Sequence, residues 1–370
     1  MLNFEYPPLG GGSSPVTRGL ARTLVQRGHA VDVVTMSFRD LPREEDDGGV
    51  RVFRVPCLRA RPELSRVHEL ASYAASALHR TRALVRQAAY DVCHAHFVIP
   101  TAAVAFLLRR SPRFPPYVIT SHGSDIPGYN PDRFAFLHRW TPPLLRRIVA
   151  AARALITPST ALERLIRQRL PEVGERIVNI PYGIATDRFV DVPKEDLVAV
   201  ATRLFERKGV QHVVEALAGL GRERFRLEVA GDGPMRPLLE SQARALEVPA
   251  RFHGWLQHDR VDRLLERSRI FVLATAVDNF PTSLLEAMAA RCAIVTTRAG
   301  GCPEVVGDAA LLVDPGDVEG LRSALARLMA EPTLCDELGA AAARRVRELF
   351  DWHAVAARHE AVYPRAAEGI

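Results

Sequence analysis

The sequence predicts an α/β fold built from two doubly wound parallel-sheet domains of similar size, and three observations carry this. The chain has 370 residues, and at the usual ~100–200 residues per domain that length holds two domains, each able to bury a core. In both halves, apolar strand-like runs alternate with amphipathic segments of helical length, the pattern of βα units that close into parallel sheets. The charge balance reverses along the chain: residues 1–190 hold 26 Arg and no Lys against 16 acids, whereas residues 191–370 hold 21 Arg and 2 Lys against 27 acids.

In the first half the strands read LNF at the start, AVDVVTM (30–36), VRVFRV (50–55), DVCHAH (91–96), YVITSH (117–122) and ALITPS (154–159). Between them lie helical segments such as Ser14 to Arg27, with Gly28 as a C-terminal stop. Helical stretches are also expected over Leu64 to Gln87 and Pro143 to Arg169. In the second half the strands read LVAVA (197–201), RLEVAG (226–231), RFHGW (251–255), IFVLAT (270–275), AIVTT (293–297) and ALLVD (310–314), with helices such as Val210 to Leu217 and Met235 to Leu246. The aperiodic stretch IATDRFVDVPKED near 184–196 marks the boundary. The expected domains are therefore 1–188 and 189–351, followed by a C-terminal helix within 352–370 that packs back on the first.

Composition excludes several classes. Five cysteines (57, 93, 292, 302, 335) form no C-x-x-C pair, so neither a disulfide framework nor a zinc site is supported. The longest uncharged apolar stretch, Phe97 to Leu108, falls short of the ~20 residues of a membrane span, and the N-terminus lacks the basic and apolar regions of a signal peptide. A cytoplasmic location is expected, without a nucleic-acid partner.

Five motifs can carry chemistry. PPLGGGSS (7–14) is a glycine turn between a strand and a helix, where backbone N–H groups can approach a phosphate or sugar oxygen; a plain tight turn is the alternative. Arg203 and Lys208 share the loop after the first strand of the second half and can converge on a diphosphate; solvated loop charges are the alternative. With 47 Arg and 2 Lys in the chain, a lysine here points to a compact charge rather than a planar fork. In AVDNFPTSLLEAMAA, Pro281 suits a helix start, the N–H groups near Thr282 and Ser283 suit an anion, and Asp278 and Glu286 flank them as acceptors for sugar or ribose hydroxyls; an N-terminal capping acid with a solvent-facing Glu is the alternative. GDGPM (231–235) and RFHGWL (251–256) sit at strand carboxyl ends but read as structural first. His94, His96, His122 and Asp125 end consecutive strands; spacing does not make a zinc set, and only His122 is favoured for function.

Together these segments resemble the retaining, nucleotide-sugar-dependent glycosyltransferases of family four, whose GT-B architecture has two facing Rossmann-like domains with the active site in the cleft between them. The resemblance rests on NFEYPPLGGG, HGSDIPGYN (122–130), IPYGI (180–184), R-x-x-x-x-K-G (203–209), GDGP (231–234), DNFPTSLLEAMA (278–289), GGCPEVV (300–306) and LLVDPGD (311–317). It implies an acceptor-side first domain and a donor-binding second one. Arg203 and Lys208 would bind the donor diphosphate, Glu286 the ribose and Asp278 the donor sugar, with His122 also at that sugar. The amides around Thr282, Ser283 and Leu284 would meet phosphate or sugar, Gly11 and Gly12 would border the diphosphate and acceptor, Leu256 would lie beside the base, and Gly231 and Phe280 are also placed at the donor. The sequence departs from the family at Asp278, where a longer Glu is usual, and at Ala185, where an acid is common.

The expected activity is transfer of a sugar from a UDP- or GDP-sugar to a glycan, lipid-linked or small-molecule hydroxyl, with retention, in glycan, glycolipid or envelope polysaccharide synthesis. No D-x-D sequence occurs, so no metal or other cofactor is required in this account; fixed cations and a helix start stabilise the leaving diphosphate. Basic helical stretches in the first half suggest peripheral contact with anionic lipid, and a soluble anionic acceptor explains the same charge. A GT-B sugar-nucleotide epimerase and a catalytically silent nucleotide-sugar-binding subunit remain as alternatives. A dinucleotide oxidoreductase is disfavoured, because no G-x-G-x-x-G follows a strand.

Overall fold

A computed structural model describes residues 1–62, 65–129, 141–218, 220 and 225–364. They divide into two compact units: unit 1 is Met1–Gly183 with the segment from Trp352 onward, and unit 2 is Ile184–Asp351. The passage at Gly183 falls a few residues before the expected 188, and local packing accounts for it. In unit 1, Gly183 lies so close to the Trp352 indole that an added Cβ would sit 2.4 Å from the ring. In unit 2, the first and last residues, Ile184 and Asp351, are bridged, and Ile184 N–H donates to the Phe350 carbonyl at 2.8 Å.

Unit 1 has strands β1 (Asp32–Met36), β2 (Glu44–Asp46), β3 (Arg51–Val55), β4 (Cys93–His96), β5 (Tyr117–Thr120), β6 (Ala154–Thr157) and β7 (Ile177–Asn179). They form a β1-β3-β2 sheet and a β4-β5-β6-β7 sheet, parallel except for β2. The expected LNF strand is reduced to Leu2, which bridges to both Val34 and Ala95. Leu2 N–H donates to His94 (2.8 Å) and its carbonyl accepts from His96 (2.9 Å), while Asn3 N–H donates to Val34 (3.2 Å). A single residue thus joins the two sheets at the point where strand order reverses.

Strands β2 and β7 are absent from the expected set because three residues are too few to show alternation. The helix expected from Leu64 begins at Val67, with Glu69 closing its first turn on the Arg66 amide (2.8 Å); Leu64 itself, like Asn130 of the HGSDIPGYN motif, lies outside the described residues. The expected stretch from Pro143 to Arg169 is two helices, Pro142–Ala151 and Thr160–Arg169, separated by the fully buried β6.

Unit 2 holds β8 (Glu195–Ala201), β9 (Arg226–Ala230), β10 (Ala250–Gly254), β11 (Ser268–Leu273), β12 (Ala293–Thr297) and β13 (Leu311–Val313) in one all-parallel sheet, ordered β10-β9-β8-β11-β12-β13. Its central strands are buried on both faces, as a sheet covered by helices on both sides requires. The order reverses between β8 and β11, and ligands of such sheets bind at the carboxyl ends of the strands flanking that point. Among the described residues all five cysteines are free thiols, and no helix is long and apolar enough to cross a membrane.

Candidate active site

At the reversal point of unit 2, the loops after β8 and β11 are tied together. Ala276 N–H donates to the Arg207 carbonyl (2.8 Å), as does the Thr275 hydroxyl (3.2 Å). Gly209, with φ +70°, lies where a Cβ would be 2.0 Å from the Ala274 carbonyl oxygen, so a larger residue would push the two loops apart. The result is a close ion pair: Lys208 Nζ lies 2.5 Å from Asp278 Oδ2, both side chains mostly buried. Arg203, half-buried on the same loop, has its guanidinium 5.8 Å from the Phe205 ring centroid. The GDGP turn supports this loop from behind. Gly231 (φ +141°) leaves no room for a Cβ beside the Thr202 carbonyl, and Leu204 N–H donates to the Asp232 carbonyl (2.9 Å). Gly231 therefore sits as a support of the Arg203 loop.

After β11, Gly301 N–H holds the Asp278 carbonyl (3.0 Å), and Pro281 precedes the helix Thr282–Ala289, which no side chain caps. Thr282 and Ser283 are half-buried. Two side chains of this motif lie in the core: Phe280 is buried and packs edge-on against Phe350 (5.6 Å), and the Leu284 side chain is fully buried, because the apolar face of this helix must cover the sheet. Only their backbone atoms remain as ligand groups. Leu256 is half-buried just past β10.

Glu286 lies one turn into the same helix, where burial pushes its carboxyl up to about 7, opposed by Arg188 and reinforced by Asp262. Arg188 Nη2 is 3.0 Å from Asp262 and 3.5 Å from Glu286.

In unit 1 the glycine turn is held by an acid. Glu5 accepts from Gly11 N–H (3.2 Å) and from the Ser13 hydroxyl (2.5 Å), while Gly10 N–H reaches the Pro62 carbonyl (2.8 Å). A Cβ built on Gly11 or Gly12 meets nothing within 4 Å, so the face of the turn is open. His94, His96 and His122 stack in sequence, with ring centroids 4.4 and 5.4 Å apart. His122 Nδ1 pairs with the Tyr182 hydroxyl (2.7 Å) and Nε2 with His96 Nδ1 (3.2 Å), so both of its ring nitrogens have protein partners. Burial pushes His122 down to about 3 and His94 and His96 well below the usual imidazole range, leaving the stack neutral. Asp125 accepts from Val98 N–H, Gly123 N–H and the Ser121 hydroxyl (2.8–3.1 Å), which makes it the tie between the loops after β4 and β5.

Two family models match the chain: one described as Glycosyltransferase Family 4 over residues 10–188, the other as Glycosyl transferases group 1 over residues 186–345. A 2-deoxystreptamine N-acetyl-D-glucosaminyltransferase of Streptomyces fradiae is 30% identical over 353 residues, 86% of this chain and 82% of that protein. The chain belongs to glycosyltransferase family four. Its fold matches sucrose-phosphate synthase of Thermosynechococcus elongatus with a TM-score of 0.81 at 21% identity, over 96% of this chain and 93% of that one. It also matches Anabaena HepE, solved in complex with UDP-glucose, with a TM-score of 0.72 at 16% identity, over 99% and 97%. At these identities the likeness is one of GT-B fold.

For this glycosyltransferase the sequence reading missed Glu5, Tyr182, Arg188 and Asp262. Glu5 lies inside the quoted NFEYPPLGGG motif, and its place one strand-end before a glycine turn was a usable signal. The other three gain their partners from elements 60 to 98 residues away, which no local spacing shows.

Proposed function

We propose that this glycosyltransferase moves a sugar from a UDP- or GDP-sugar to an acceptor hydroxyl with retention at the anomeric carbon, without a metal. The observation that carries this reading is the Lys208–Asp278 ion pair beside the Thr282–Ala289 helix start at the reversal point of unit 2. A donor placed there would meet a cation, a helix N-terminus and a sugar-hydroxyl acceptor together, with Arg203 on the same loop as Lys208 and Glu286 at the ribose. The bond from the anomeric carbon to the diphosphate oxygen breaks, the acceptor oxygen bonds to that carbon from the same face, and the acceptor proton leaves with the phosphate. Charge grows on the diphosphate during this step, where the two cations and the helix dipole are already oriented. His122, in unit 1, is neutral and engaged on both ring nitrogens, so it offers shape rather than charge.

The acceptor belongs to the glycan, glycolipid or envelope polysaccharide class, with action at the cytoplasmic membrane face. Support comes from helix Pro142–Ala151 and helix Thr160–Arg169, which expose Leu144, Arg146, Arg147, Arg164, Arg167 and Arg169. Cosedimentation with anionic vesicles that fades as salt rises is the expected behaviour.

The decisive experiment is a panel of UDP- and GDP-sugars with sugar acceptors, read by the anomeric configuration of the product, with EDTA present. Retained configuration and undiminished rate in EDTA are expected, and Lys208→Ala should lower turnover ~10²-fold or more. An absolute need for added magnesium or manganese overturns the metal-free reading. Formation of an epimerised sugar from donor without acceptor replaces transfer by epimerisation.

A further inference from the structure

Glu286 is one corner of a three-residue charge cluster. The turn Thr186–Arg188 supplies the cation, helix His258–Arg267 supplies Asp262, and helix Thr282–Ala289 supplies Glu286. One nitrogen of Arg188 serves both acids, at 3.0 Å and 3.5 Å, and each carboxylate is only 15% exposed. The guanidinium rests 4.8 Å from the Phe189 ring centroid, which limits where it can go. Two carboxylates sharing one cation in a mostly dry site carry a net negative charge, and the Coulomb cost of that arrangement falls on whichever acid is less well paired.

We infer that Arg188 is the positioning residue that keeps Glu286 ionised and aimed for the two ribose hydroxyls, and that Asp262 tunes it by competing for the same guanidinium. This rests on the reading of Glu286 as the ribose acceptor. A carboxylate accepts both hydroxyls, whereas a protonated carboxyl must donate its own proton and offers fewer acceptor sites. The distances favour Asp262 as the first partner of Arg188, so Glu286 is the acid left closer to protonation. The pKa directions agree: burial pushes Glu286 up to about 7 and Asp262 to about 6, and Arg188 lowers both. Glu266 and Asp259 of the Asp262 helix add negative field at Asp262, and Lys194 lies at the far end of the Glu286 helix, on the Ala290 carbonyl.

The test is the affinity of the full chain for UDP, GDP and ADP by calorimetry from about pH 6 to pH 9, following whichever nucleotide binds tightest. Wild-type affinity should weaken about tenfold per pH unit below about pH 7, as Glu286 takes up its proton. Arg188→Met should move that midpoint to alkaline pH by about one pH unit or more, with binding recovered at the alkaline end; Arg188→Lys should fall between. Asp262→Asn should move it the other way, toward acid, because the competing charge is gone. Titration of the nucleotide's own phosphate is common to all variants and cancels in the difference. A purely structural role for the cluster predicts weaker binding at every pH in both variants with one unmoved midpoint, and that result overturns the inference. Midpoints of Arg188→Met and Asp262→Asn moving in the same direction overturn it as well. If no nucleotide binds the wild-type chain, the nucleotide reading of the site fails, and the inference falls with it.

Discussion

The two units solve the same topological problem with opposite electrostatics. Each places its candidate site where strand order reverses, at Leu2 and β4 in unit 1 and at β8 and β11 in unit 2. Unit 1 lines this region with neutral rings, the stack of His94, His96 and His122 with Tyr182, beside a glycine turn tied by the Glu5 carboxylate. Unit 2 builds it from charges held close together, Lys208 with Asp278 and Arg188 with two acids. A diphosphate needs fixed cations, whereas neutral rings can line a sugar without adding charge, so the contrast follows the donor site proposed for unit 2.

The contrast predicts that pH moves the stability of the two units in opposite directions. In unit 1, burial pushes His94 and His96 well below the usual imidazole range, His122 to about 3 and His359 to about 4. Below about pH 6.5 the unfolded chain takes up protons that folded unit 1 refuses, so stability is present above that pH and is lost as pH falls toward the folded values. Each histidine contributes a slope of about 1.4 kcal/mol per pH unit within its window. Glu360, held down to about 2 mainly by its hydrogen bond from Arg27, extends the same trend at lower pH, and Asp125, raised by burial, opposes it. In unit 2, Glu286 and Asp262 titrate above their unfolded values, so their contribution is greatest in acid and is lost as pH rises through about 6 to 7. Calorimetry across about pH 4.5 to 8, with hydrogen exchange assigning each transition to its unit, should show unit 1 weakening first in acid. Both transitions moving together across that range would break the comparison.

A second difference concerns the cation chosen to close helix ends. In unit 2, Lys194 Nζ reaches three carbonyls, of Leu265 (3.3 Å), Glu266 (2.7 Å) and Ala290 (2.5 Å), at the ends of two helices. In unit 1, Arg176 performs the same task with its planar fork, reaching the carbonyls of Ala150, Ala152, Glu172 and Val173 at 2.7–3.2 Å. Both lysines of the chain lie in unit 2, each at a point where several acceptors or one carboxylate surround a compact site. Lys194→Met should cost about 2–3 kcal/mol, since charge-assisted bonds to buried carbonyls are lost. Lys194→Arg and Arg176→Lys should each lose part of that amount if geometry, rather than charge alone, selected the residue. Denaturant midpoints decide this, and full stability in both swaps would reduce the pair to interchangeable positive charge.

What the sequence made legible follows the same divide. The central strands of unit 2 were readable because they are continuous apolar runs buried on both faces, and Lys208, Asp278 and Glu286 drew notice because their motifs are contiguous. In unit 1 the first strand is a single bridging residue, β2 is three charged residues and β7 three residues long, so no periodicity could announce them. Phe280 was placed at the donor by its position in a motif and its side chain is core, because a helix start at a ligand still buries one face; Leu284 was placed there by its amide, which burial of its side chain does not move. Arg188 and Lys194 lay in the aperiodic stretch near 184–196 that marked the domain boundary. Their partners are fixed only when helices 258–267 and 282–289 pack side by side.

The smallest effect tests how the C-terminal segment is held on unit 1. Helix Trp352–Glu360 packs on helix Ser13–Gln26, with Arg27 and His29 pairing with Glu360 at its end. The contact is set by Gly19, in mid-helix, where an added Cβ would lie 2.2 Å from the Trp352 ring. In an open helix Gly→Ala stabilises by about 1 kcal/mol. Here the methyl group must push a ring that also packs against Gly183, and overpacking of this kind costs ~1–3 kcal/mol, so Gly19→Ala should destabilise unit 1 by about 1 kcal/mol net. Adding Gly19→Ala to Trp352→Leu should then stabilise, because the obstacle is gone and only the helix preference remains. Unit 2 offers the contrast in Gly339, whose added Cβ would lie 2.4 Å from the Arg291 backbone carbonyl rather than from a side chain. Backbone cannot rotate away, so Gly339→Ala should destabilise more than Gly19→Ala, and no single side-chain truncation should reverse it. Equal melting shifts for the two alanine variants, or a Gly19→Ala penalty that persists with Leu at 352, would show that Trp352 is not what fixes the approach of the C-terminal helix.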